Sequence, residues 1–314
     1  MKTESITFLS NDGKTNVNGV LWTPEGMEES ARPRGIFQIV HGMAEYIDRY
    51  QHFAQFLTDN GFVVCGADHI GHGKSISSKD DLGHFPIGNG ADVLIEDVHA
   101  LRQKVASVFG PEIPYVLFGH SMGSFVVRAY ITRHHDVSAC VICGTGQQPQ
   151  MVSKAGNALC RVLAKVKGDH HQSALVDGMA AGGYWKRLDN PRTHLDWLSI
   201  DEDNVNRYID DPQCGFMFTV GGYAGVTKLT DLAADPKLAL RVPDELPLYF
   251  IAGGLDPVGD NGKGVLAAAK QYRAAGVKTV DVNLYDGYRH EILNEEISSQ
   301  VMNDIDSWLT KQGI

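Results

Sequence analysis

The sequence predicts an α/β protein: a mostly parallel, eight-stranded sheet with helices on both faces and one helical insertion. Three observations carry this. Short apolar runs alternate with helix-period segments through residues 1–145 and again through 244–314, the pattern of strand–helix–strand units whose sheet is covered on both faces. Between them, over residues 146–243, helical patterns follow one another with no convincing strand, which reads as a cap inserted between two strands of one sheet. Finally, Tyr115–Ser124 reads as a buried strand, a sharp turn and a helix start, and the turn carries Gly119, Ser121 and Gly123 in a G-x-S-x-G pattern.

In chain order, residues 6–9 and 17–22 read as two strands joined at Asn11-Asp12-Gly13, a hairpin signal. Residues 35–41 form a buried strand that runs into His41-Gly42-Met43-Ala44-Glu45-Tyr46. Tyr50, Phe53, Ala54 and Leu57 share one face of a helix that Asn60-Gly61 stops. A strand over 62–68 leads into a glycine-rich loop, Asp68 to Ser75. Val93, Ile95, Val98, Leu101, Val105 and Val108 mark a long helix ending at Gly110-Pro111. After the turn at Ser121 a helix runs toward His134, and residues 139–143 are another buried strand. Beyond the insertion come a strand over 248–252, a helix near 263–275 and a strand over 279–285. A final helix carries Ile297, Val301, Ile305, Trp308 and Leu309 on one face.

Composition narrows the function. The 314 residues, 43% of them hydrophobic, suffice for one large domain with an insertion. A net charge of −10 speaks against a nucleic-acid partner, which needs clustered Lys and Arg to neutralise phosphates. The N-terminus lacks the apolar core of a signal peptide, and no apolar run approaches the roughly 18 residues of a membrane span. Five cysteines without regular spacing read as reduced, packed thiols; a cytoplasmic location is the expectation.

The G-x-S-x-G pentapeptide is weak evidence by itself: at roughly 7% usage of Gly and Ser, a chain this long shows one by chance about one time in ten. Its context and partners add weight. Serine needs a base to take its proton and a third group to hold that base in one tautomer. On the α/β-hydrolase fold the order is Ser, then an acid, then His, on loops after successive strands. His290 follows the last strand, and Asp256 follows the strand before it, at the sheet edge where α/β proteins place ligands. Asp260 is the alternative acid, and an Asp-Pro turn or a helix-capping histidine is the plain structural reading of either position. Two backbone N–H groups should stabilise the oxyanion of a tetrahedral intermediate: that of Met122, directly after the serine, and that of Met43, where Gly42 permits close approach. His41 is then a structural residue on the oxyanion side.

Five stretches taken together resemble one group of the α/β-hydrolases. These are His41-Gly42-Met43-Ala44-Glu45, Asp68 with Gly71-His72-Gly73-Lys74-Ser75, Gly119-His120-Ser121-Met122-Gly123, Asp256-Pro257-Val258 and His290-Glu291. The group is that of monoacylglycerol lipases and lysophospholipases, within a family shared with serine aminopeptidases. The resemblance covers about residues 15–145 and 245–312. It implies an α/β-hydrolase fold, Ser121 as nucleophile, Asp256 and His290 as its triad partners, and Met43 and Met122 as oxyanion donors. It further implies a small, lipid-like ester as substrate and no metal or organic cofactor. Tyr46 departs from the pattern, since many members carry a second histidine after the Glu.

The Asp68–Ser75 loop lacks the first glycine of a phosphate-binding loop at the required spacing, so a structural role is expected. The His134-His135 and His170-His171 pairs point apart and read as surface. In the cap, Tyr184, Trp185, Trp197, Tyr208, Phe216, Phe218 and Tyr223 serve packing or an acyl pocket. Residues 155–167 set Leu159, Val162, Leu163 and Val166 beside Lys154, Arg161, Lys165 and Lys167. That is either an ordinary half-buried helix or a transient membrane- or micelle-docking surface. Rival functions are an amidase or aminopeptidase, which needs a polar site for a substrate amine, and a non-catalytic binding protein, which has no need of a complete triad.

Overall fold

The computed structural model describes residues 1–28 and 31–314, and Ala181 by its backbone alone. Eight strands form one sheet: β1 (Lys2–Leu9), β2 (Asn16–Thr23), β3 (Gly35–Val40), β4 (Phe62–Ala67), β5 (Tyr115–His120), β6 (Ala139–Cys143), β7 (Leu248–Gly253) and β8 (Val280–Tyr285). Their spatial order is β1-β2-β4-β3-β5-β6-β7-β8. β2 pairs antiparallel with both β1 and β4, and every later pairing is parallel. β1 extends four residues before the predicted start. Its exposed Lys2 and Glu4 charge the sheet edge, which discourages pairing with another chain. The hairpin loop closes on Asp12, whose Oδ1 accepts the N–H groups of Lys14 and Thr15 at 2.8 Å each, while Gly13 supplies φ +77°.

The helices follow the sequence pattern closely: α1 (Gln51–Asp59), α2 (Gly90–Phe109) and α3 (Met122–Tyr130) precede the insertion. Within it lie α4 (Gln150–Lys167), α5 (Ala174–Met179), α6 (Glu202–Asp210), α7 (Val220–Ala233) and α8 (Pro236–Ala239). α9 (Lys263–Ala274) and α10 (Ser298–Lys311) follow. Among the described residues the insertion holds no strand, only an isolated bridge between Gln172 and Thr219.

Strand pleating divides the core in two, because successive side chains point to opposite faces. Ile36 and Val40 of β3, Leu117 of β5, Ile142 of β6 and Phe250 of β7 join one apolar cluster with α2, α3 and α9. Phe37 and Ile39, Val116 and Phe118, Val141 and Ile251 join the other, with α1 and α10. The insertion is not a separate apolar body: Val220, Tyr223 and Leu229 of α7 lie in the first cluster. A third, smaller cluster (Trp197, Leu198, Tyr208, Cys214 and Val258) joins the insertion to the loop after β7. All five cysteines are free and buried. Among the described residues, no helix is long and apolar enough to cross a membrane.

Candidate active site

Four parallel strands deliver four loops to the same carboxyl-end edge. Ser121 follows β5, Gly42 and Met43 follow β3, Asp256 follows β7 and His290 follows β8. Ser121 is held at φ +53°, ψ −118°, a conformation that side-chain-bearing residues rarely adopt. The turn is pinned on both sides: Ser121 N–H donates to the Cys143 carbonyl at 3.0 Å, and Ser124 Oγ donates to the Ser121 carbonyl at 2.5 Å. The flanking glycines are sterically required. A Cβ at Gly123 would collide with the Val40 and His41 carbonyls, and one at Gly119 with the Gly123 carbonyl.

Asp256 and His290 are brought together. Both are buried, and Nδ1 of His290 lies 2.8 Å from Oδ2 of Asp256. The other carboxylate oxygen accepts the Val258 N–H at 2.9 Å, so the acid is fixed at both ends. With Nδ1 donating to a carboxylate, Nε2 of His290 keeps its lone pair. The two loops touch through glycine: a Cβ at Gly253 would strike the Tyr288 and Arg289 carbonyls. Asp260, the alternative acid, points away. It is largely exposed and pairs with Arg187 at 3.5 Å. The Ser121 hydroxyl makes no hydrogen bond among the described residues, and such contacts often tighten only when substrate binds. Its Cβ faces Gly42, where an added Cβ would sit 3.1 Å away.

Of the three N–H groups at Gly42, Met43 and Ala44, the outer two are committed. Gly42 N–H goes to Oε1 of Glu45 at 2.6 Å, and Ala44 N–H goes to Nε2 of His72 at 3.3 Å. The Met43 N–H between them has no acceptor among the described residues. Met122 opens α3, so its N–H has no partner within the helix.

A buried ionic network supports these loops, and its members had no assigned role in the sequence. Glu45 accepts from Gly42 N–H, from Tyr50 Oη at 2.8 Å and from Arg49 Nη1 at 2.8 Å, and lies 3.2 Å from His120 Nδ1. Arg49 also makes a two-pronged pair with Glu291 at 2.8 and 2.9 Å. Burial alone would raise both carboxyl pKa values. For Glu45 the His120 hydrogen bond and the Arg49 charge outweigh it and hold the group far below the usual range. For Glu291 the Arg49 charge brings it to about 2. His120 moves the other way. Burial opposes its charge, but the hydrogen bond and charge of Glu45 hold its pKa above the ordinary value. Residues of the insertion join in: Asn204 Nδ2 donates to Glu291 at 2.8 Å, and Tyr208 Oη donates to the Ala44 carbonyl at 2.7 Å. Tyr46, the departure from the family pattern, donates to Asp211 at 2.8 Å and so ties the same loop to the insertion. The signal in sequence was the neighbourhood: Glu45, His120 and Glu291 all stood inside motifs quoted for other residues.

The Asp68–Ser75 loop is structural scaffolding. Asp68 accepts the Ile47 and Lys74 N–H groups at 2.9 and 2.8 Å. His41, His69 and His72 are buried, and burial lowers the pKa of each, that of His72 to about 3. Each therefore serves as a neutral hydrogen-bonding group, with His41 Nε2 accepting the His69 N–H at 3.0 Å. Above His290 the insertion supplies an aromatic wall. The Trp197 ring lies 5.1 Å from the His290 ring, and Tyr184 lies 5.0 Å from Trp197.

The family model described as serine aminopeptidase, S33 matches residues 31–297. A monoacylglycerol lipase of Mycolicibacterium smegmatis is 29% identical over 302 residues, covering 92% of this chain and 91% of its own. A monoglyceride lipase of Rattus norvegicus is 22% identical, covering 92% and 85%. Among solved structures, a thermostable carboxyl esterase from Bacillus coagulans, in complex with glycerol, superposes with a TM-score of 0.91 at 31% identity over the whole of both chains. The chain belongs to the serine aminopeptidase S33 family, within the ester-hydrolysing, monoacylglycerol-lipase-like group of α/β-hydrolases.

Proposed function

We propose that the protein cleaves carboxylic esters of the monoacylglycerol or lysolipid type through an acyl-enzyme on Ser121. The observation that carries this is the buried 2.8 Å pair of His290 Nδ1 and Asp256 Oδ2, which leaves Nε2 as a base on the edge where Ser121 is strained into the open. His290 Nε2 takes the Ser121 proton as Oγ attacks the ester carbonyl carbon. The oxyanion forms against the Met43 and Met122 N–H groups, each such donor contributing roughly 10²- to 10³-fold. His290 then hands its proton to the departing alcohol. Water, deprotonated by the same nitrogen, attacks the acyl-enzyme and frees the acid and Ser121. Asp256 stays ionised throughout and steadies the imidazolium.

Residues 146–243 act as the cap in this reading. The Trp197–Tyr184 wall suits an apolar acyl group. Two acids beside the site, Glu45 and Glu291, are committed to Arg49 and His120, which leaves neither to receive a substrate amine and favours esters over aminoacyl amides. α4 gives the substrate a route of approach. Its Leu159 and Leu163 pack inward, while Met151, Val152, Val162 and Val166 are exposed among Lys154, Arg161, Lys165 and Lys167. An apolar and basic outer face suits docking on an anionic lipid surface. The deciding experiment is a panel of p-nitrophenyl esters, a monoacylglycerol, a lysophospholipid and an aminoacyl-naphthylamide, each with a Ser121→Ala control. Ester turnover that disappears in the control supports the reading; turnover of the amide alone replaces it with a peptidase.

A further inference from the structure

We propose that His84, Asp169 and His170 bind a divalent transition-metal ion of the Zn²⁺ class, which clamps the loop after β4 to the inserted segment. One donor atom from each of the three side chains lies within 4.8 Å of the other two. Two imidazoles and a carboxylate are the donor set that suits Zn²⁺ and its neighbours, whereas Mg²⁺ and Ca²⁺ favour oxygen alone. Around a tetrahedral Zn²⁺ at about 2.0–2.1 Å the ligand atoms stand about 3.3 Å apart, so the three need to close by at most about 1.5 Å.

The backbones that carry these side chains are already fixed to one another. Asp169 O accepts the Gly221 N–H at 3.0 Å, His171 O accepts the Val220 N–H at 2.8 Å, and Gly83 O accepts the Thr219 N–H at 3.1 Å. Both ligand segments thus hang on the start of α7, and only side-chain rotation is required. The two imidazole rings stack in the ion-free arrangement, with centroids 3.6 Å apart, so one of them must turn out of the stack before both in-plane lone pairs meet at one ion. His84 is oriented by Thr219. Thr219 Oγ1 commits its proton to the Gly83 carbonyl at 3.3 Å and accepts the Gly222 N–H at 3.0 Å. It therefore receives a proton from His84 Nδ1 at 3.2 Å, which leaves Nε2 of His84 with a free lone pair. His170 is half-exposed, which gives the ion an entry path.

A fourth ligand, an oxygen, is at hand. Asp81 Oδ2 accepts the Ser77 and Ser78 N–H groups, while its Oδ1 faces His170 Nε2 at 3.7 Å. With Asp81 the two carboxylates balance the charge of the ion.

The test is isothermal titration of the chelator-stripped, full-length protein with ZnCl₂ near pH 7.5, with Co²⁺ absorption reporting the coordination geometry. The proposal expects one equivalent bound and a raised Tm. Asp169→Asn and His170→Ala, both on exposed or half-exposed positions, should each weaken binding by at least about 100-fold, more than loss of an orienting partner costs. His134→Ala should change nothing; its ring stacks on His99 at 3.9 Å and sits 3.1 Å from Glu96, the nearest imitation of such a cluster. No stoichiometric binding, binding untouched by Asp169→Asn and His170→Ala, or binding lost in His134→Ala overturns the proposal. In the first case the three residues are an ordinary imidazole–carboxylate group.

Discussion

Arg49 grips Glu291 with both terminal nitrogens, at 2.8 and 2.9 Å, and the first of those nitrogens also holds Glu45 at 2.8 Å. One guanidinium thereby joins the loop that carries Met43 to the residue that follows His290. Both carboxylates are buried, and the guanidinium between them is mostly so. Removing the cation leaves Glu291 without a countercharge and Glu45 with His120 alone, and breaking such a pair costs about 3–5 kcal/mol. Arg49→Met should therefore lower the urea midpoint sharply. Arg49→Lys should fall between, since an ammonium keeps the charge but not the planar fork. A midpoint unchanged in Arg49→Met would remove the network as a support of the site.

Ser121 offers a test in which activity and stability separate. Ser121→Ala should lose ester turnover by about 10⁶-fold, the scale on which nucleophile removal acts, with little change in Tm. Ser121→Gly should lose turnover equally yet melt higher, because glycine accepts φ +53°, ψ −118° without the strain of about 1–3 kcal/mol. Surviving turnover in either variant would exclude Ser121 as the nucleophile.

The acid can be assigned by comparing two neighbours. Asp256→Asn should lower kcat about 10⁴-fold, because an amide no longer holds the His290 tautomer. Asp260→Asn, on an exposed carboxylate paired only with Arg187, should leave kcat within a factor of two or so. The reverse pattern would move the acid to Asp260.

His120 predicts a pH dependence of stability. Its folded pKa lies above the unfolded value of 6.5, held there against burial by Glu45. The stabilisation is therefore complete below pH 6.5 and is lost as pH rises through the raised value. The stability gap between the native protein and His120→Gln should narrow on going from pH 6 to pH 9. Chemical denaturation of both proteins at each pH reads the gap, and the other histidines cancel in the difference. A gap that widened with pH would contradict the assignment.

The outer face of α4 predicts lipid binding. Reversing the charges of Lys154, Arg161 and Lys165 should weaken sedimentation with anionic vesicles about tenfold or more, at roughly 1 kcal/mol per cation near the surface. Turnover of a short soluble ester should be unaffected. Vesicle binding equal to that of the native protein would reduce α4 to ordinary structure.

The sequence by itself determined the sheet, because strand and helix periodicities are local and the pleat forces each central strand to feed both faces of the core. It also determined where the candidate residues had to stand. G-x-S-x-G at the end of β5 forces the strained turn, and Asp256 and His290 each close a strand of a parallel sheet, so all three reach one edge. The hydrogen bonds that complete the site were out of reach, since they join residues far apart in sequence. Arg128 shows why. Read alone it is a solvated cation on α3, yet it is fully buried and has no carboxylate partner among the described residues. Its five N–H groups go to Tyr272 Oη, Thr145 Oγ1, the Gly146 carbonyl, Gln147 Oε1 and the Ala233 carbonyl, stitching both ends of the insertion to the core. The Arg49 network and the convergence of His84 with Asp169 and His170 are of the same kind. Periodicity reports which face a residue occupies, but only the folded chain decides which distant groups share that face, and a buried charge persists only where enough of them meet it.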